Sequence, residues 1–540
     1  MVSEQVPGGP VPGARLPGWR TVGRIAPPVV VGILVVVNAW AGLMPGVGFW
    51  DTGEFQTVLP ILGTAHPTGY PTYVLLGFLA NILLTPIGEP AFRITVLSLL
   101  AVATAAGATV VLVRRLTDST IIGVATGLGL ALTPVVWANA TRADPHPIHL
   151  AFVALLLLAL VRWQDARRDV PSDPAAARRA DRRLLLAAVV FGLAAGNHSL
   201  TLLLALPIAL FVLVVEPGIW RRWWLVLGCL AAALGSVALV YLELPIRGGL
   251  IPASLIYGKP ATWDGFWYIA LAEQFRGALD NPLGNLGGKV GELATLANAQ
   301  LGLGALAIPP AFLIALRRAP RYTLLTASAL VITVLFNQSY SNADIDRYYL
   351  GPALWVWTWL GLLAAELADI VGVLIGGARH RASPVRLEDP VVRRASIVAG
   401  AIVGVMLLLP ALGDIATTRA RADRSGETGA ETWLAEALPA IPQGAVLISW
   451  WSTSTPLWYA QKVEGLRPDI EIIDDRTMLD RDLGRAPDVI DRYLGTRPVY
   501  VIRLQGRDTD ELTRQYDMTP VASGGNTTVW AVNGRLAGPR

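Results

Sequence analysis

Most of the chain is built from long apolar runs separated by short polar stretches. Eleven stand out: Ile25–Met44, Ile94–Val113, Thr120–Trp137, Ile148–Val161, Leu184–Ala195, Leu200–Val215, Trp223–Tyr241, Leu301–Leu316, Tyr322–Phe336, Tyr348–Ile375 and Ala395–Leu412. A membrane-crossing helix needs about 20 mostly apolar residues, so the pattern predicts a polytopic α-helical membrane protein with about eleven transmembrane helices. A twelfth run, Tyr73–Leu84, stops just before Pro86 and is too short to cross comfortably. It predicts a helix lying at, or dipping into, one membrane interface. After Leu412 the apolar runs end and charged residues become frequent. Ala445–Trp450, Ile470–Ile473, Val499–Ile502 and Thr528–Val532 read as strands and Pro456–Val463 as a helix, so residues 413–540 predict a small C-terminal α/β domain.

Composition narrows the class. Of 540 residues, 53% are hydrophobic and only 16% charged, against about 25% charged in an ordinary soluble domain. A soluble enzyme with one large core is excluded, and so is disorder, which needs low hydrophobicity and high net charge. The net charge of +4 comes with no basic stripe, so nucleic acid is not an expected partner. Cys229 is the sole cysteine, which excludes an intramolecular disulfide and a thiolate metal site.

The basic residues orient the spans. With the N-terminus inside, residues 1–24 form a flexible basic cytoplasmic tail. The clusters Arg114-Arg115, Arg167–Arg183, Arg221-Arg222, Arg317–Arg321 and Arg379–Arg394 then all fall on the inner face, as the positive-inside rule requires. The opposite face receives Asp51, Glu54, Asp144, the loops 45–93 and 243–300, and residues 413–540. This holds only if Tyr73–Leu84 does not cross. The expected location is the plasma (inner) membrane, multi-pass, with the C-terminal domain extracytoplasmic.

Candidate chemistry gathers on that outer face. In Trp50-Asp51-Thr52-Gly53-Glu54-Phe55 the two acids are three residues apart, a spacing that puts both on one face of a helical turn. Such a pair can bind a metal, deprotonate a hydroxyl or orient one; it also fits a helix cap. His66 lies in the Pro- and Gly-rich lead-in to the interfacial helix. Four of the five histidines, His66, His146, His149 and His198, fall at outer loops or helix ends, which predicts a polar cavity there. Asp144 adds a second acidic element after two further spans.

An acidic motif after the first span, a Pro-rich lead-in to an interfacial helix, two spans and a second outer acid resemble the GT-C class of membrane glycosyltransferases. Trp50–Phe55 followed by His66-Pro67-Thr68-Gly69-Tyr70-Pro71 resembles glycosyltransferase family 117, a family related to protein O-mannosyltransferases. The likeness continues through Gly196-Asn197-His198, Leu244–Arg247, Gly258–Trp267, Asp344–Leu350 and Pro456–Asp469. Two stretches depart from the family pattern: Asp144-Pro145-His146 replaces an acid followed by Tyr, and Trp450–Thr455 lacks an acid that relatives often carry.

The resemblance implies transfer of a sugar, mannose first, from a polyprenyl-phosphate-linked donor to an acceptor hydroxyl on the outer face. A protein or an envelope glycan would be the acceptor, and the lipid bilayer a further partner. Asp51 is then the expected base, and deprotonating the attacking hydroxyl inverts the anomeric carbon. Glu54 would orient the acceptor or raise the basicity of Asp51, with Asp144 as the second catalytic acid. The phosphate leaving group needs cations or donors. Arg247, Arg347 and Lys259, with His66 and His198, are the expected contacts, and Arg276 lies on the same side. No cofactor is demanded; the paired acids leave room for a divalent metal. A transporter or lipid flippase, or a non-catalytic envelope scaffold, is the alternative reading. Acids crowded on one face fit an enzyme better than alternating access. The C-terminal domain is expected to position the acceptor and to carry no bond-making group.

Overall fold

The computed structural model describes residues 18–169, 174–281, 283–379, 390–504, 507–524 and 527–536. Residues 1–17 of the expected tail and residues 380–389 of the Arg379–Arg394 cluster lie outside these. The chain opens with α1 (Gly18–Ala39), the shorter α2 (Trp50–Ile61) and α3 (Pro71–Leu83), and the long α4 (Pro90–Thr117). Then come α5 (Thr120–Leu132), α6 (Pro134–Ala140), α7 (Pro145–Asp169), α8 (Pro174–Asn197), α9 (Ala205–Val215) and α10 (Trp223–Tyr241). Further helices cover Leu286–Leu301, Ile308–Arg318, Pro320–Asn337, Leu350–Arg379 and Pro390–Gly413.

Every one of the eleven apolar runs falls on helix. Seven helical segments among the described residues are long and apolar enough to cross a membrane, and up to eight if the bent pair α5–α6 counts as one span. Four expected spans are not among the seven: Thr120–Trp137 is the bent pair, Tyr322–Phe336 lies on an 18-residue helix that starts with Pro320 and Arg321, and Leu184–Ala195 and Leu200–Val215 differ for local reasons. Helix α8 carries Arg178, Arg179, Arg182 and Arg183 in its first half, and α9 has only 11 residues. The run expected at Leu301–Leu316 starts earlier, because helix extends back to Leu286 through a stretch carrying Lys289 and Glu292. Helix α3 has 13 residues, about 20 Å of rise against a hydrocarbon core of about 30 Å.

The 68° bend between α5 and α6 follows from Pro134, which cannot donate to the preceding turn and pushes Thr133 into an extended conformation, φ −62° and ψ 130°. The orphan N–H of Val135 donates to Gln300 Oε1 at 2.8 Å. Helices α4 and α7 form the centre: 78% of the most apolar stretch of each is buried, against 17% for α1. Their Arg-bearing C-terminal ends lie at one end of the bundle. There Arg115 pairs with Asp165, Arg167 with Glu216, Arg222 with Asp181 and Arg318 with Asp369. The acids Asp51 and Asp144 sit at the other end.

At that acid-bearing end lies a five-stranded mixed sheet, β1 (Val446–Ile448), β2 (Glu471–Ile473), β3 (Val499–Leu504), β4 (Tyr516–Gly524) and β5 (Thr527–Arg535), in the order β2-β1-β3-β5-β4. β1 is parallel to β2 and β3; β5 is antiparallel to β3 and β4. The helix Trp451–Lys462, which follows β1, lies against α2. Their approach requires Gly53, because a Cβ there would stand 2.1 Å from Gly48 O and 2.9 Å from Thr455 Oγ1. Thr57 Oγ1 donates to Gly53 O at 2.8 Å and to Thr455 O at 3.3 Å, and Tyr459 Oη accepts from the Ala91 N–H at 3.1 Å.

Candidate active site

Helix α2 is the central positioning element. Phe49 precedes it in an extended conformation, and Asp51 occupies the first turn, where the exposed N–H groups favour an anion. Gln56 fixes the preceding loop. Its Oε1 accepts from the Gly48 N–H at 2.8 Å, and its Nε2 donates to Gly46 O at 3.0 Å and to Ala91 O at 3.3 Å. The far end of α2 stops at Leu62, in the left-handed region at φ 50°. Arg247 closes it, donating from Nε to Leu62 O at 2.8 Å and from Nη2 to Ile61 O at 3.2 Å. A cation suits the carbonyl end of a helix.

Asp51 opens onto a cavity of about 690 Å³ whose lining includes His66, Tyr70, His198, Arg276, Arg347, Tyr348, Trp451 and Arg476. Its Oδ1 accepts from Trp451 Nε1 at 3.2 Å and its Oδ2 from Arg347 Nη2 at 3.3 Å. The other arm of Arg347 donates from Nη1 to Asp144 Oδ2 at 3.1 Å. One guanidinium therefore bridges the two outer acids. Asp144 is 2% exposed, and its Oδ1 accepts from the His146 N–H at 2.8 Å and contacts His146 Nδ1 at 2.7 Å. The Asp51 side chain stays 32% exposed.

Glu54, one turn along, is 1% exposed. Its Oε1 accepts from the His66 N–H at 2.7 Å, and its Oε2 meets His66 Nδ1 in a close ion pair. The hydrogen-bond partners of Asp51 are Trp451 and Arg347. Burial opposes ionisation of Asp51 and Asp144. For Asp51 the charges of His66 and Arg347 and the bonds from Trp451 and Arg347 outweigh it; for Asp144, His146, Arg347 and Arg142 do. Asp51 is thereby held below the usual carboxylate range, and Asp144 well below it. Glu54 goes the other way, pushed up by burial despite His66, while the Glu54 carboxylate overcomes burial and raises His66. The Glu54–His66 pair thus retains a proton that Asp51 does not.

His198 follows the end of α8. Asn197 Nδ2 donates to Pro145 O at 3.1 Å and ties α8 to α7. His198 Nδ1 accepts from the Leu200 N–H at 3.2 Å, which leaves the ring hydrogen on Nε2. That Nε2 is buried without a partner, and the residue lines the cavity. His198 is therefore a neutral imidazole at the cavity edge with an unpartnered Nε2.

The structure brings Asp51, His66, His198 and Arg347 to one cavity. Glu54 and Asp144 stand behind it, joined through His66 and Arg347. Arg247 and Lys259 do not line it: Arg247 caps α2, and Lys259 faces a separate cavity. Two cavity residues escaped sequence reasoning. Trp451 and Arg476 come from the C-terminal segment, which closes over the cavity, and Trp451 bonds Asp51 itself, a contact compatible with a positioning role. Arg476 stands 4.6 Å from the Tyr257 ring centroid and 5.0 Å from that of Tyr268, and pairs with Asp480 at 2.5 Å. Tyr268 lines the cavity, while Trp263, at the start of the same helix, is 76% exposed. Among the described residues no group of three or more His, Cys, Asp or Glu side chains is arranged to hold a metal ion.

Comparison with known proteins finds likenesses in sequence and in fold. Residues 51–221 match the model of the Protein O-mannosyl-transferase TMEM260 N-terminal domain. Over 441 residues, 79% of the chain, it is 25% identical to the mouse Protein O-mannosyl-transferase TMEM260, and it spans 59% of that relative's length. The crystal structure of ArnT from Cupriavidus metallidurans bound to undecaprenyl phosphate aligns with a TM-score of 0.62 at 15% identity, covering 96% of this chain and 100% of that one. The Archaeoglobus fulgidus oligosaccharyltransferase tethered with an acceptor peptide aligns with a TM-score of 0.54 at 13% identity, covering 96% and 76%. The chain is a multi-pass membrane protein with the GT-C fold, and residues 51–221 are similar to the Protein O-mannosyl-transferase TMEM260 N-terminal domain.

Proposed function

We propose that the chain is a glycosyltransferase that moves a sugar, mannose first, from a polyprenyl-phosphate-linked donor to an acceptor hydroxyl, with inversion. The observation that carries this is the Asp51 carboxylate, exposed at the cavity and shared between Trp451 and Arg347. Asp51 takes the hydroxyl proton, the hydroxyl oxygen bonds to the anomeric carbon, and the bond from that carbon to the phosphate oxygen breaks. Arg347 stabilises the departing phosphate, and the Nε2–H of His198 offers a second donor. A phosphate that draws Arg347 from Asp51 also raises the basicity of Asp51, since its cationic partner is what depresses it. Asp144 keeps Arg347 in place, and the Glu54–His66 pair holds the cavity wall. The lipid tail would lie in the bilayer, and a polypeptide is the preferred acceptor. Undecaprenyl phosphate in the ArnT structure, and the acceptor peptide in the oligosaccharyltransferase structure, support that choice of donor and acceptor classes.

On this reading the cavity faces the extracytoplasmic side of the plasma membrane, with the Arg-rich end inside, as the one-sided Arg clusters favour. Reporter fusions after Leu116 and after Leu412 are expected on opposite sides; the same side for both overturns the orientation. The reaction itself is tested with a panel of polyprenyl-phosphate sugars and Ser/Thr peptides. Wild-type protein is expected to transfer, and Asp51→Asn to lose roughly 10²–10⁴-fold. A loss under about tenfold favours a capping role for Asp51 and a transporter or scaffold for the chain.

A further inference from the structure

Beside the first cavity lies a second, of about 590 Å³, that the transfer reading leaves unused. The two share a wall. In the helix Asp475–Asp480, Arg476 and Leu479 face the first cavity, while Thr477, Asp480 and the following Arg481 face the second. In the segment before Gly258, Tyr257 faces the first and Leu255 and Ile256 the second.

The second cavity is cationic. Lys259, Lys462 and Arg481 line it, and the first two are among only three lysines in the chain. Neither lysine side chain has an ion-pair or hydrogen-bond partner among the described residues. Asp480, the acid in the lining, already holds Arg476 at 2.5 Å and the Gly258 N–H at 2.9 Å. Arg481 pairs with Glu471 at 3.2 Å, which Arg497 also holds at 2.5 Å. Two lysines of the lining are thus left without a partner among the described residues. Burial and the nearby Arg481 push the Lys462 pKa down, a strain that an anion relieves. The lysines come from Gly258–Trp267 and Pro456–Asp469, two stretches that the sequence marks out and that meet only in the folded chain.

We propose that this cavity is an anion subsite that holds a carboxylate side chain of the polypeptide acceptor, flanking the hydroxyl that enters the first cavity. The proposal rests on the transfer reading above. Lysine suits it as a compact point charge that asks little of the geometry of its partner. The common wall lets one extended peptide place a hydroxyl on one side and an acid on the other.

The test uses full-length protein, a polyprenyl-phosphate sugar and two Ser/Thr peptides that differ only in flanking Glu or Gln. The Glu peptide is expected to show a KM about three- to tenfold lower, a gap that closes with salt. In the doubly substituted Lys259→Ala, Lys462→Ala protein the KM for the Glu peptide should rise to that for the Gln peptide, and Lys462→Glu should favour Lys-flanked peptides. A binding titration with labelled Glu peptide and no donor gives the same order without turnover. Equal binding of the two peptides to wild type overturns the subsite. A preference that survives the double substitution overturns its assignment to this cavity. Tighter binding of a phosphorylated glycan than of the Glu peptide assigns the cavity to a glycan and overturns the peptide. If no peptide is glycosylated but the binding order holds, the transfer reading fails and the subsite stands.

Discussion

The two ends of the helix bundle use the same chemistry for different purposes. At the Arg-rich end cations meet acids of neighbouring helices, as Arg115 meets Asp165 and Arg318 meets Asp369. At the other end Arg347 is shared by Asp51 and Asp144, and Asp51 keeps 32% of its side chain exposed beside a large cavity. The first pattern ties helix ends together. The second holds an acid and a cation against each other while leaving both open to a ligand. An ion pair by itself says little about function; an ion pair whose members a substrate can separate says much more. Asp51 and Glu54 repeat the contrast within one helix: one faces the cavity with a lowered pKa, the other is sealed against His66 with a raised one.

Substitutions can break this comparison in order of effect. Asp51→Asn should cost roughly 10²–10⁴-fold in transfer. Arg347→Gln should cost about 10²–10³-fold, the scale of removing one transition-state donor, and should weaken donor binding as well. Acidity comes next. Asp51 is held low, so it stays ionised as pH falls through the ordinary aspartate value of about 3.9. The Glu54 carboxylate holds His66 above its usual range against burial, so its proton is kept to higher pH than in a free imidazole and is lost as pH rises through the raised value, leaving the buried Glu54 carboxylate without its cation. Transfer should therefore fall on the alkaline side by about tenfold per pH unit, and Glu54→Gln, which removes the charge that raises His66, should move that limb to lower pH. Gly53→Ala should destabilise the α2 contact by about 1–3 kcal/mol, because the added methyl meets the Gly48 carbonyl; thermal unfolding reads this. Asp165→Asn, at the other end, should change stability by no more than about 1 kcal/mol and leave transfer intact.

Much of this is legible in the sequence because it is written locally. Apolar runs mark the helices, and Asp51 declares itself by its place after the first run. What is not local was missed. Trp451 bonds Asp51 across most of the chain length, and nothing around Trp450-Trp451-Ser452 signals that contact. Arg247 looks like a phosphate ligand because it sits beside a span, yet its guanidinium is occupied by the carbonyls that end α2. The strand β4 escaped notice because its register shifts at Asp517/Met518 and at Pro520/Ala522 break the alternation that marks a strand. It lies at the sheet edge, where a proline is tolerated. The partner of Glu54 was hidden likewise: spacing pairs it with Asp51, but the loop after α2 brings back His66.

The central claim is that Arg347 receives the donor phosphate while Asp51 faces the reacting carbon. A structure of the full-length Asp51→Asn protein with a polyprenyl-phosphate sugar bound tests it most directly. Phosphate oxygens are expected within about 2.7–3.2 Å of the Arg347 guanidinium, with the anomeric carbon turned towards residue 51. Phosphate bound away from Arg347, with the sugar outside the cavity that Asp51 opens onto, would contradict it.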